Sequence, residues 1–176
     1  MKRGFFTSSL RVAALATVAL GATLFGVAAA AVRPDAARIA SCSTSDLAIS
    51  VNGANGGTAG SYYFHIDFKN ITRRTCRIAG FPGVSAVNAR GRLVSFPAGR
   101  EANGPATVVT LRPGRHTSAL LRAIDTGVIP CASTRPAGLR VYPPNQKASK
   151  VAPFHYPVCT RKSSMTVRAI KTERGY

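Results

Sequence analysis

Ser61-Tyr-Tyr-Phe-His-Ile-Asp-Phe-Lys-Asn70 is the stretch that decides the fold. Tyr62, Phe64, Ile66 and Phe68 alternate with Tyr63, His65, Asp67 and Lys69. A period of two places the first set on one face of a β-strand and the second on the other, so this segment is read as a strand with one buried face. Upstream, residues 46–51 alternate more weakly, with Leu47, Ile49 and Val51 on a common face. The stretch 52–60 between them is rich in Gly and Asn and reads as a loop.

The same reading continues toward the C-terminus. Ile78-Ala-Gly-Phe-Pro-Gly83 is a turn. Residues 84–88 and 92–96 are expected as two strands joined through Ala89-Arg90-Gly91, followed by a loop over 97–106. Residues 107–111 form a short apolar strand. Arg112-Pro-Gly-Arg115 turns the chain through its Pro-Gly pair. Residues 116–125 resume the alternation, with Ala119, Leu121 and Ala123 opposed to Leu120 and Ile124. Further strands are expected at 138–142, stopped by Pro143-Pro144, at 150–154 and at 165–170. Roughly nine short strands at this spacing, without a helical period after residue 32, imply an all-β sandwich or barrel. There is no internal repeat and no composition break, so one domain is expected over 42–172.

The N-terminus has a different character. Lys2, Arg3 and Arg11 precede an uncharged run from Val12 to Val32, and small residues stand at Ala28 and Ala30 or at Ala29 and Ala31. This is the layout of a secretory signal peptide over 1–31, followed by a short leader over 32–41. The expected location is secreted or cell-wall associated. The uncharged run is also long enough to stay as an anchor on the outer face of the cytoplasmic membrane. Ile39-Ala40-Ser41-Cys42 resembles a lipobox, but Arg33, Asp35 and Arg38 separate it from the apolar run.

The four cysteines, Cys42, Cys76, Cys131 and Cys159, lack the close pairing of a metal site and read as two disulfides of an exported domain. Three pairings are open.

Several stretches taken together resemble a known family. They are Cys42, Asn70-Ile-Thr72, Cys76-Arg-Ile-Ala-Gly-Phe-Pro-Gly83, Gly91, Leu111-Arg-Pro-Gly114, Cys131, Leu139-Arg-Val-Tyr-Pro143, Cys159 and Met165-Thr-Val167. In this order the chain resembles the secreted actinobacterial domain of unknown function 4232 family. The resemblance runs from about residue 42 to 168. It implies an immunoglobulin-like antiparallel β-sandwich with the pairing Cys42–Cys76 and Cys131–Cys159. It implies no activity. The strong positive charge departs from the commoner acidic or neutral pattern of that family.

Catalytic chemistry has little to work with. The motifs of metalloproteases, serine hydrolases and phosphate-binding loops are absent from the sequence. His65 and Asp67 share a strand face and could act as a base with its orienting carboxylate, although a solvated outer face explains them as well. His116 and His155 read as surface residues and Met165 as a core or edge residue. Asn70-Ile-Thr72 matches a glycosylation sequon, which the bacterial signature makes a chance match. No catalytic residue, metal or cofactor is expected. A secreted enzyme and a membrane-anchored accessory protein are the alternatives to a binding or structural module.

Charge is the one unusual cue. The chain has 24 Lys+Arg against 6 Asp+Glu. A field of this sign attracts polyanions. If the charge serves binding, anionic cell-wall polymers or lipid headgroups are the expected partners, with Arg73, Arg74, Arg77, Arg112 and Arg115 as candidate anion-binding residues; a basic surface that serves solubility, with no partner, is the alternative. The absence of interleaved stacking aromatics argues against specific nucleic-acid recognition.

Overall fold

The decisive alternation at residues 61–70 becomes the longest strand of the domain. The computed structural model describes residues 38–53, 57, 59–102 and 106–171. The expected signal peptide at 1–31 and most of the leader lie outside the described residues. Among them, no helix is long and apolar enough to cross a membrane. A short 3₁₀ turn, Thr44–Asp46, leads into β1 (Leu47–Gly53) and β2 (Ser61–Asn70). There follow β3 (Cys76–Ile78), β4 (Gly83–Val87), β5 (Gly99–Arg100), β6 (Val109–Leu111) and β7 (His116–Ile124). The chain continues through β8 (Ser133–Thr134), β9 (Gly138–Tyr142), β10 (Lys150–Pro153), β11 (Val158–Cys159) and β12 (Met165–Val167).

The first sheet has the order β1-β2-β7-β12-β5 and the second β10-β9-β4, while β3 with β6 and β8 with β11 form two small ribbons. All pairings are antiparallel except β5 with β12. The runs β1-β2-β7 and β10-β9-β4 reproduce the A-B-E and G-F-C orders of an immunoglobulin-like sandwich. Beside β7, where that plan puts strand D, the C-terminal strand β12 pairs instead.

The pleat explains which residues fill the space between the sheets. Ile66 and Phe68 of β2 are fully buried beside Ala119 and Leu121 of β7. Facing them, β4 and β9 pair Val84 with Val141 and Ala86 with Leu139, all buried. Leu47, Leu111, Met165 and Ile170 complete the core. Each large side chain of this set contributes about 1.5–3 kcal/mol by leaving water. On the opposite face of β2, Lys69 is exposed and Asp67 half-buried, as the alternation requires.

The bridges are Cys42–Cys76 and Cys131–Cys159, with Cα–Cα distances of 5.0 and 5.7 Å. This is the pairing that the family resemblance implies. Neither bridge joins the two large sheets through β2 and β9. The first ties the entry of the domain to β3, and the second ties the segment after β7 to β11.

One expected strand is corrected. Residues 92–96 form only an isolated bridge, Val87 with Leu93, after the turn in which Gly91 N–H donates to Asn88 O at 2.8 Å. The Ser95 hydroxyl takes up ladder positions, accepting from Ala86 N and donating to the Phe96 carbonyl. A side chain that bonds the local backbone in this way competes with a ladder. Leu93 and Phe96 are left exposed. Four strands went unread: β3, β5, β8 and β11. Each is only two or three residues long, and β5 lies within the stretch expected to be a loop.

Candidate anion-binding site

The site is built around Asn70, the last residue of β2, which is completely buried. Its amide Nδ2 donates to the carbonyls of Arg74 at 2.8 Å and Leu111 at 3.0 Å. Its Oδ1 accepts from the Thr72 amide at 2.9 Å and the Thr72 hydroxyl at 2.8 Å. Its backbone N–H donates to Arg115 O, and its carbonyl accepts from Gly114 N–H, both at 2.9 Å. One buried side chain therefore holds together the turn after β2 and the turn before β7. Gly114 adopts φ 75°, a left-handed conformation that favours glycine. Arg115 N–H donates to Arg112 O and closes that turn.

This arrangement gathers the candidate arginines. Arg73 and Arg74 stand on the first turn, and Arg112 and Arg115 on the second. Arg77 lies on β3, which pairs with β6 so that Cys76 faces Leu111 and Arg77 faces Thr110. All five are exposed. In the sequence they fall into two groups about 35 residues apart; in the fold they border one end of the sandwich.

Beside them lies a cleft of about 270 Å³ lined by Ser41, Ser43, Asp46, Thr72, Arg74 and Thr75, against the Cys42–Cys76 bridge. Its inner edge is formed by the residues preceding Cys42. Cys42 N–H donates to Arg77 O, and Arg77 N–H donates to Ala40 O, both at 2.9 Å. Asp46 Oδ2 accepts from Ser43 N–H at 2.8 Å. Hydrogen bonds from Ser43 hold the Asp46 carboxyl below its ordinary range, and the charge of Arg74 adds to this. The Arg74–Asp46 pair itself is loose, at 3.6 Å with the arginine 80% exposed. Such a pair contributes at most about 1 kcal/mol and leaves Arg74 able to turn outward.

Other cations are committed to the fold. Lys150 Nζ donates to Leu47 O and Arg140 Nη2 to Gly91 O, each at 2.5 Å. Arg122 Nε donates to the Ser61 hydroxyl at 2.9 Å. Arg168 donates through Nε and Nη2 to Glu101 Oε1, and Thr166 donates to Glu101 Oε2. The Arg168 bonds hold the Glu101 carboxyl below its usual value. The remaining acids of the described residues are also engaged. Asp67 accepts from Asn52 Nδ2 at 2.5 Å, and Asp125 accepts from Gly127 N–H at 2.8 Å.

The histidines lie on separate elements. His65 is opposite Leu120 in the β2–β7 register, and His116 is opposite Lys69. His155 follows β10, with Nδ1 3.2 Å from Pro136 O. Among the described residues, no group of three or more His, Cys, Asp or Glu side chains is placed to hold a metal ion.

Two features escaped the sequence reading. Asn70 is read as a strand end, a family-like stretch and a sequon but not as an organising side chain, although an Asn-x-Thr at a strand end is also the signature of a side chain folding back on its own turn. The second is an aromatic cluster at the other end of β2. Tyr62 and Tyr156 have ring centroids 4.7 Å apart, and Phe64 stands edge-on to Phe154 at 4.9 Å. The two aromatic runs 62–64 and 154–156 were the available signal.

A comparison with known families places this geometry. The model of the family described as Domain of unknown function (DUF4232) matches residues 42–171. The chain belongs to this family. The match runs from the first bridging cysteine to the tail after β12, so the arginine-bearing turns lie within the family's domain, and so does the cleft apart from Ala40 and Ser41 on its edge. No curated protein matches the chain.

Proposed function

We propose that this protein is an exported, non-catalytic module that binds anionic polymers of the cell envelope through its arginine-bearing end. The observation that carries the reading is the convergence of Arg73, Arg74, Arg112 and Arg115 on two turns tied by Asn70, with Arg77 on the adjoining strand β3. Their guanidinium groups suit anionic oxygens, which they can contact through two parallel hydrogen bonds. Among the described residues, the acids that could neutralise this field are engaged in local bonds, and Asp46, which lines the cleft, meets Arg74 only loosely. Two disulfides suit an oxidising compartment outside the cytoplasm, in agreement with the signal-like N-terminus.

The test is retention on purified cell wall across a salt series. Binding is expected at low salt and release as the salt approaches about 1 M, where the screening length falls to roughly 3 Å. An R73Q/R77Q/R112Q variant is expected to elute at much lower salt than a variant losing the same charge elsewhere, R90Q/R92Q/R161Q. Retention that ignores salt, or equal losses in the two variants, would defeat the proposal.

A further inference from the structure

We infer that the cleft beside the Cys42–Cys76 bridge recognises a repeating unit that carries both a phosphodiester and free hydroxyls, a polyol phosphate. This deepens the anionic-polymer reading and rests on it. A surface made only of arginines would bind any polyanion. The cleft is different because it sets cation, carboxylate and hydroxyl side by side. Arg74 is on its wall, with Arg73 and Arg77 beside it, and each can donate to a phosphate oxygen. Asp46 is held in its ionised form by Ser43 and so can only accept hydrogen bonds. A fully charged chain without donors would be repelled there, whereas a polyol hydroxyl supplies the donor that the carboxylate lacks. The hydroxyl-bearing residues Ser41 and Thr75 line the same cleft. Both residues are exposed, so their side chains are available to a ligand. The volume of about 270 Å³ accommodates one such unit while the polymer continues over the arginine turns.

The probes are glycerol phosphate oligomers and linear polyphosphate of matched charge, titrated into the purified protein at one ionic strength. The glycerol phosphate oligomer is expected to bind more tightly. An S41A/T75V variant changes only exposed side chains and is expected to keep the wild-type melting midpoint. It should lose about tenfold in affinity for the oligomer, the size expected for two net hydrogen bonds, and nothing for polyphosphate. Equal affinity for both probes, or equal changes for both in S41A/T75V, overturns the inference while leaving the arginine reading standing. Polyphosphate binding that survives R73Q/R77Q unchanged overturns the arginine reading itself.

Discussion

The two ends of β2 are built on opposite principles. At its C-terminal end, Asn70 organises two turns by hydrogen bonds, and the residues it positions point into solvent as charge. At its N-terminal end, roughly 26 Å away at about 3.3 Å per residue, Tyr62 and Phe64 meet Phe154 and Tyr156 in a cluster of rings. Each end also has its own bridge: Cys42–Cys76 beside Asn70, and Cys131–Cys159 on the ribbon next to the aromatic end. One end is held by apolar contact and closes the core. The other is held by polar bonds and leaves its arginines exposed. A binding surface can therefore be carried on turns without disturbing the packing that keeps the sandwich together.

The largest effect that tests this division is expected at the aromatic end. Phe154 is buried and edge-on to Phe64, and Phe154→Ala should cost about 3–5 kcal/mol, read as a lowered denaturant midpoint. Polymer binding measured well below that midpoint should be unchanged. A loss of binding under those conditions would show that the ends are coupled.

A smaller stability effect with a larger functional consequence is expected from Asn70→Ala. It leaves the Leu111 carbonyl without its buried donor and frees both turns, costing about 2–3 kcal/mol. Salt-sensitive binding should weaken even where the protein remains folded. If binding is retained in full, the arginines do not depend on Asn70 for their placement.

The smallest effects separate the ends by pH. The Tyr156 phenol is pushed up to about 12, first by burial and then by the negative charge of Asp125, with the neighbouring Tyr62 adding to it. The folded state thus holds this proton more tightly than the unfolded chain. Its contribution is present below pH 10 and is lost as pH rises toward 12. Asp46 behaves in the opposite sense. Its carboxyl is held below the ordinary value, so its contribution is present at neutral pH and is lost as pH falls through the acid range. Tyr156→Phe should flatten only the alkaline limb of a stability–pH curve, and Asp46→Asn only the acid limb. A variant that alters both limbs alike would contradict the assignment.

What could be read in advance depended on strand length. The boundaries of β2 and β9 coincide with the expected segments, and β7 differs by a single residue, because each shows enough alternation to reveal its period. The ribbons β3–β6 and β8–β11 show no such pattern. Their short strands exist because a distant partner supplies the hydrogen bonds. At 92–96 the apolar pattern suggests a strand, yet the segment meets β4 only through scattered backbone bonds such as Val94 N–H to Ala86 O, and the Ser95 hydroxyl takes the place of a backbone acceptor for Ala86 N–H. At the candidate site, all five arginines were named from charge and turn chemistry, whereas the cleft with Ser41, Asp46 and Thr75 was not foreseen.

The amino-acid sequence alone therefore established an all-β chain whose long strands bury one face, with four cysteines available for two bridges and a large excess of positive charge. Those properties are local or additive: alternation is visible within ten residues, and charge is a count. Only the tertiary structure decided which arginines share an end, that Asn70 is a buried hinge between two turns, and that the aromatic residues of β2 meet those after β10. These outcomes depend on contacts between residues tens of positions apart, where packing and hydrogen-bond satisfaction select the partner and no short stretch of sequence records the choice.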